Sequence, residues 1–331
     1  MEKNHFEKAD QSGDDNVVTI VTHSGIFHCD DVVAVAILTR IFPDAEIVRT
    51  REITPEMLSN PDVVVVDVGG QYDHQLSNLD HHQRGGPTRE DGTPYSGAGL
   101  VWSTFGGRYL MTARTDDMVG DQFTHIDRAV LGLEDHRGIL GELWSRIDRE
   151  IFVPIDLVDN GLMPNTEGHL TLQRVVSAFN PSWEDEGATG DSEFRQAVKV
   201  VGPIIDALIV RMIGTFRAAG VVEEAATSSG PDILVLPRFA PWQEAFFELK
   251  LEHKLIVFES RGEWRVQAIP SALGGFDKRV PLPEAWAGLR GGELVEMTGV
   301  DDATFCHPGR FIAGAGSREG AMALANLALG Q

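Results

Sequence analysis

A chain of 331 residues with 42% apolar side chains is long enough for two domains and rich enough in apolar residues to give each a core. Its formal net charge of −22 excludes a generic nucleic-acid coat, because phosphate binding rests on basic surface, but not an enzyme that handles phosphate locally through metals and a few arginines. No apolar run has the length to cross a bilayer, and Cys29 and Cys306 alone make no disulfide framework, which fits a reducing cytoplasm.

Residues 1–16 (MEKNHFEKADQSGDDN) lack the hydrophobic stretch of a secretion signal and the Arg-rich pattern of a transit peptide, and read as a disordered tail. NVVTIVT (16–22) is short, apolar and β-branched, as in a buried strand. DVVAVAILTRIF (31–42) is apolar on all sides and has the length of a buried helix, with Pro43 behind it. AEIVRT (45–50) predicts a second strand. TPEMLS (54–59) places Pro at the first helical position behind a capping threonine. DVVVVDVGG (62–70) is the strongest strand in the chain, ended by two glycines. Strand, helix, strand, helix, strand is the rhythm of a parallel sheet with crossover helices.

From Ser96 the pattern is helical as far as Gly161, and residues 171–179 predict a further helix closed by Asn180-Pro181. After a polar loop (181–191), residues 192–225 form one long helical stretch with a bend expected at Gly202-Pro203. Strands follow at 233–237, 254–260 and 263–270, with a helix in PWQEAFFEL. The end (TFCHPGRFIAGAGSREGAMALANLAL) reads as strand, tight turn, strand, then a helix from Ser317. The expected fold is α/β, a parallel-sheet N-terminal domain with a smaller mixed α/β C-terminal domain. The expected boundaries are a tail at 1–16, a metal-binding catalytic domain at 17–190, a connecting helix at 191–226 and a substrate-binding domain at 227–331.

Ligands of open parallel sheets sit beyond the carboxyl ends of the strands. Titratable residues gather there repeatedly: His23, His28, Asp30 and Asp31 after the first strand, and Asp67 at the end of the third. LDHHQRGG (79–86) adds Asp80, His81 and His82, and IDLVDNG (155–161) adds Asp156 and Asp159. Each alone has a plain reading, since an Asp at a helix start is most often a cap and a His pair in a loop is usually surface. Together they demand a compensating cation. A mixed His and Asp set suits Mn²⁺ better than Mg²⁺, which prefers oxygen and retained water. A carboxylate bridging two ions would clamp the oxygens of a phosphoryl transfer, with an activated water as nucleophile.

The ordered set THSGIFHCDD, VVDVGGQYDH, LDHHQ and VDNG, with RFIAGAGSREGAMALA at the end, closely resembles the melanocyte-proliferating-gene-one family. That family lies within the DHH phosphoesterase superfamily, beside RecJ-type exonucleases, oligoribonucleases, cyclic-dinucleotide phosphodiesterases and family II pyrophosphatases. The resemblance runs from about Val17 to about Ala328. It implies a DHH-type catalytic domain with two divalent ions, Mn²⁺ first and Mg²⁺, Co²⁺ or Zn²⁺ as alternatives. It implies His23, His28, Asp30, Asp67, Asp80 and Asp159 as metal ligands, with Asp67 the bridge, and Asp67, Asp80, His81 and His82 as the catalytic set. His28 stands where the superfamily has an Asp, after a one-residue insertion, and Asp31 reads as a helix cap or an outer partner.

The C-terminal motif GRFIAGAGSREGA (309–321) stands where the superfamily carries its substrate motif. Gly314 and Gly316 would let backbone approach an anion, Ser317 opens a helix, and Arg318 offers a fork to phosphate. The plain reading is a tight turn followed by a capped helix. Arg84 is a further substrate candidate, while Arg49 and Arg51 end the second strand and Arg49 reads as a salt-bridging residue. Lys278 and Arg279 would line a groove on which Trp264, Trp286 or Phe276 stack bases, although buried packing is the commoner fate of such rings. The implied activity is a 3′-to-5′ exonuclease acting on RNA or short oligonucleotides, cytoplasmic and away from membranes, with a homodimer as an open assembly state. Two alternatives stand beside it: a hydrolase of a small phosphoester or pyrophosphate-like molecule, and a metal-bound nucleic-acid or protein binding module without catalysis.

Overall fold

A computed structural model describes residues 17–112, 136–164, 169–185 and 187–330. The tail expected at 1–16 and part of the helical pattern after Ser96 lie outside these residues. The chain divides into two compact units, Met1–Val210 and Arg211–Gln331. The division falls within one continuous helix, α7, that runs over Asp191–Ser228 and contains Pro203.

In the first unit, β1 (Thr19–Thr22), β2 (Glu46–Arg49) and β3 (Val63–Val66) pair in parallel, in the order β2-β1-β3. The short β5 (Asn78–Leu79) continues the parallel side, and β4 (Tyr72–Asp73) closes the edge antiparallel. Helix α1 (Cys29–Ile41) is buried over nearly its whole length, with Val32, Val33, Ala34, Val35 and Leu38 at zero exposure. It is apolar all round because it lies within the unit, packed along α3 (Gly97–Thr112). Val21, Val63 and Val65 face the other way, onto Met57 and Leu58 of α2 (Pro55–Ser59). Thr54 caps α2 by accepting the Met57 backbone N–H, as the sequence predicts.

Helices α4 (His136–Ile147), α5 (Val153–Asp159) and α6 (Leu172–Ser177) complete this unit, with a π-helical turn at Asp148–Phe152 leading into α5. Trp102 of α3 stacks on Phe152 at 4.6 Å and lies parallel to Trp144 of α4. One turn on, a Cβ at Gly106 would meet both indoles at 2.7 Å, so only glycine lets α3 and α4 close on each other.

The second unit holds a five-stranded sheet in the order β6-β7-β8-β10-β9, of Ile233–Leu236, Leu255–Ser260, Glu263–Ala268, Ile312–Ala315 and Ala303–Cys306 respectively. Only β6 and β7 are parallel. Alternation along β7 splits the core. Leu255 and Val257 pack with Leu324 of α10 (Arg318–Leu329) and Leu294 of α9 (Gly292–Thr298). Ile256 and Phe258 pack with Phe246 of α8 (Gln243–Glu248) and Val222 of α7. Cys29 and Cys306 are buried free thiols. Among the described residues no helix is long and apolar enough to cross a membrane.

Gly106→Ala should lower stability by about 1–3 kcal/mol through overpacking against two rigid indoles. Gly214→Ala, in α7 with open space around it, should instead raise stability by roughly 0.5–1 kcal/mol through unfolded-state entropy. Thermal melts of the two variants beside the parent check the opposite signs.

Candidate metal centre

The carboxyl ends of β1 and β3 bring the first cluster together. His23 follows β1, and Asp30 and Asp31 sit in the first turn of α1. His28 is the N-cap residue of that helix, extended, and its backbone N–H donates to Asp31 Oδ1 at 2.9 Å. The other oxygen of Asp31 lies 3.1 Å from His23 Nε2. Asp31 thus accepts from the helix cap with one oxygen and faces a histidine with the other.

Asp67 leaves β3 with a left-handed backbone (φ 58°), a conformation that Asp adopts more readily than most residues. Each of its carboxylate oxygens faces an imidazole: His81 Nε2 at 3.1 Å from one, His23 Nε2 at 3.4 Å from the other. The Ser24 carbonyl lies 3.2 Å from His23 Nδ1. A carbonyl only accepts, so Nδ1 carries a proton and Nε2 is the ring atom presented to the cluster.

Three groups of side chains have ligand atoms within 4.8 Å of one another: His23, His28 and Asp67; Asp67, His81 and His82; and His28, Asp30 and Asp159. Asp67 belongs to two of them, as a bridging carboxylate would. Five of the six residues expected as metal ligands are therefore brought together, with His81 and His82 added. Asp80, the sixth, is absent from these groups. Its Oδ1 accepts the backbone N–H groups of His81 (2.8 Å) and His82 (3.2 Å) and lies 2.7 Å from His82 Nδ1. Its Oδ2 accepts the Gly70 N–H at 2.5 Å. Here Asp80 holds the loop that carries both histidines.

The donor set fits a divalent cation. Asp30 is fully buried, and its Oδ1 has no hydrogen-bond partner. Burial raises its pKa well above the carboxylate range, and the charges of Asp67, Asp159 and Asp31 raise it further. Such an oxygen is tolerated inside a protein only with a proton or a cation on it. Burial by itself would lower the pKa of His23, but hydrogen bonds to Asp31 and Asp67 outweigh it and carry the imidazole up to about 10. Burial would raise Asp67, yet His23 and His81 outweigh it and bring the carboxyl down to about 2. His81 is raised by the same pairing, against its burial.

A second element of the site was not singled out in the sequence. Ser96, Gly97 and Gly99 open α3, and their backbone N–H groups donate to carboxylates: Gly97 to Asp30 Oδ2 at 3.1 Å, Ser96 and Gly99 to Asp156 Oδ1 at 3.0 and 3.2 Å. A Cβ at Gly97 would stand 3.1 Å from the Asp67 Cβ and 3.2 Å from Asp30 Oδ2. The sequence signal was SGAG at a helix start, where small residues let helix N–H groups approach anions. Asp156, a titratable candidate, is taken up by this anchor and by Arg89, which also grips Asp148 through two 2.7 Å bonds. Burial outweighs those partners and raises Asp156 to about 6.

Arg49 is structural, as its plain reading expected, bonded to Asp191, Thr189 O and Gly25 O. Arg51 donates to Ser24 O and comes within 3.5 Å of His23 Nδ1. Arg84 is exposed just beyond His82. In the second unit, Ser317 Oγ accepts the Gly320 N–H and caps α10. Gly314 lies inside β10, where a Cβ would run into Arg265 and Thr304, so sheet packing demands this glycine. Gly316 packs on Asp302. Arg318 is exposed and lines two adjoining cavities of about 450 and 510 Å³, the second also lined by Trp264. Trp286 is buried, Phe276 is exposed, and Arg279 donates to the Leu251 and His253 carbonyls.

The family model MYG1_exonuc, described as an uncharacterised protein family (UPF0160), matches residues 19–329. The chain is similar to the MYG1 exonuclease of Homo sapiens, at 32% identity over 343 residues, 94% of this chain and 86% of that protein. Its likeness to the MYG1 exonuclease of Bos taurus is 33% over 94% and 84% of the two chains. A MYG1 protein of Saccharomyces cerevisiae is 29% identical over 94% and 95%.

Without metal, the His23 contribution to stability should be complete below its ordinary pKa of about 6.5 and disappear as pH climbs through about 10. The Asp67 contribution should be complete above about 3.9 and disappear as pH falls through about 2. Chelated protein should therefore melt at lower temperature at pH 10 than at pH 7. Uptake of Mn²⁺ in weak buffer at pH 8 should release a proton from His23; a pH indicator that stays flat while metal binds would remove His23 from the ligand set.

Proposed function

The chain belongs to the MYG1 family, and from that premise we propose a divalent-metal-dependent phosphodiester hydrolase. The finer reading is a 3′-to-5′ exonuclease on RNA or short oligonucleotides, allied to the DHH phosphoesterases. The observation that carries the proposal is the meeting of His23, His28, Asp30, Asp67 and Asp159 with His81 and His82 at the carboxyl ends of two parallel strands. The exonuclease names of the human and bovine relatives support the activity.

His23, His28, Asp30, Asp67 and Asp159 would hold the ions, with Asp67 shared and Asp80 fixing the loop beside it. Divalent ions bound there supply acidity to a water molecule and neutralise charge on the phosphate. Nitrogen and oxygen donors in one set favour Mn²⁺ over Mg²⁺. Asp67 and His23 hold one another in charged forms, which fixes the imidazole Nε2 toward the cluster. His82 has a side chain 61% exposed and its Nδ1 engaged by Asp80. That leaves Nε2 to donate to a phosphate oxygen or to pass a proton to a leaving oxygen. Arg318 and Arg84 are the candidate cations for phosphates outside the cluster. The net charge of −22 supports short substrates, since long polymers need extended basic tracks. Two buried thiols accord with a cytoplasmic location.

Purified protein with Mn²⁺, offered 5′-labelled oligoribonucleotides, cyclic dinucleotides and pyrophosphate, should release mononucleotides as a ladder and stop with chelator. Turnover of small substrates alone would favour a small-phosphoester hydrolase. Bound metal with no turnover would leave a binding module.

Asp67→Asn should cut the rate by at least about 100-fold, more than loss of an outer partner would. Asn also tolerates the left-handed backbone at this position, so the variant should still fold cooperatively, at a lower melting temperature because the ion pairs to His23 and His81 are lost. Normal turnover by this variant would remove the bridging role. Arg318→Ala should raise KM several-fold with kcat little changed, and an unaltered KM would exclude it from substrate binding.

A further inference from the structure

The polar loop between α6 and α7 ends in a feature that core packing does not explain. Trp183 is 90% exposed. Single exposed apolar residues are ordinary, so exposure alone decides nothing. What distinguishes Trp183 is how it is held and where.

The turn that carries it is closed on itself. The Ser182 N–H donates to Asp185 Oδ2 and the Asp185 N–H returns to Ser182 O, at 2.9 and 3.0 Å. Pro181 sits just before them with its φ fixed by the ring. The indole is thus presented on a braced turn whose backbone groups are satisfied locally.

Both ends of the loop are tied to the segment between His23 and His28. At the near end, the Asn180 side chain accepts the Phe27 N–H and donates to Phe27 O, both at 2.9 Å. At the far end, Arg49 bonds Thr189 O and Asp191 and also Gly25 O, the last at 2.7 Å. Three Cα steps lead from Asn180 to Trp183, a span of at most about 11 Å at 3.8 Å per step. Phe27 is adjacent to His28. Trp183 therefore belongs to a loop tethered at both ends to the segment that leads into His28 of the metal cluster. Ile26, 69% exposed, extends from the same tied segment.

We propose that Trp183 forms a platform on which a nucleobase of the substrate stacks while its neighbouring phosphate lies at the metal cluster. This rests on the phosphodiester hydrolase reading above and adds a recognition element to it. Glu184 and Asp185 follow Trp183 in the chain, and their charge disfavours phosphate there while leaving the neutral face of a base acceptable. Every base has such a face, so stacking tolerates sequence and supplies affinity that an acidic surface withholds.

The test compares the full chain with Trp183→Ala and Trp183→Phe on a single-stranded oligoribonucleotide and on an abasic oligomer of the same length. Kinetics are read with Mn²⁺, and binding by fluorescence anisotropy. Trp183→Ala should raise KM and Kd for the base-containing oligomer by roughly 5- to 100-fold, the range for loss of one stacked base. The preference over the abasic oligomer should shrink toward one, and Trp183→Phe should restore most of it. Unchanged KM and Kd, or an equal loss on both oligomers, would overturn the platform. Binding that depends on Trp183 without any turnover would overturn the hydrolase reading and leave the platform standing. Failure of the parent chain to bind the oligoribonucleotide would overturn the platform.

Discussion

The site depends on how buried negative charge is balanced around Asp67. This carboxylate leaves β3 with a left-handed backbone and is held between His23 and His81, one imidazole to each oxygen. Neither partner would keep its charge alone, since burial opposes ionisation of all three groups. Asp30 and Asp159 crowd two more carboxylates onto the same His81, at 4.0 and 3.5 Å from its Nε2. Protons can offset only part of this, and a divalent ion bound here would offset the rest with ligand bonds as well as charge.

The scaffold makes that concentration of charge tolerable by supplying fixed donors. Helix α3 begins Ser96-Gly97-Ala98-Gly99, and its first N–H groups point at Asp30 and Asp156. A helix N-terminus favours anions through both its unpaired N–H groups and its dipole. The glycines are needed because a Cβ at either position would strike a carboxylate-bearing residue. Beneath this, Arg89 spans Asp148 and Asp156 and lies over the Tyr95 ring, so α3, α5 and the π-helical turn are fixed together. This network touches no proposed ligand directly; it positions the helix that does.

Much of this was legible in the amino-acid order, and the rest was not, for physical reasons. Val63–Val66 and the all-round apolar α1 declared a buried parallel sheet, because β-branched runs and two-sided burial leave a pattern in sequence. The acidic and histidine-rich loops declared themselves by density. The strands Tyr72–Asp73 and Asn78–Leu79 left no such pattern, since two residues show no period and pair through backbone alone. The Arg89 network was hidden because its members lie about sixty positions apart and no local pattern links Arg89 to Asp148 or Asp156. Gly314 was read as room for an anion, and it is room for Arg265 and Thr304 across the sheet. A glycine reports that something approaches closely and says nothing of what approaches.

Residue type also fails to separate the roles of the carboxylates, and their partners succeed. Asp31 accepts from the α1 cap, Asp80 from three donors in its own loop and Gly70, and Asp156 from α3 and Arg89. Each of these three is anchored by at least one backbone N–H that cannot leave, although Asp31 also faces His23 and Asp80 also faces His82. Asp30 keeps one oxygen without a donor, Asp159 lies against it and His81, and Asp67 has imidazoles only. An imidazolium can surrender its proton to make room for a metal, whereas a backbone N–H cannot. Asp67 and Asp159, with the unpartnered oxygen of Asp30, therefore have the most room for a new partner, and each lies in a group with His28. That distinction between permanent and exchangeable compensation separates the acids proposed to hold ions from acids that only hold the fold.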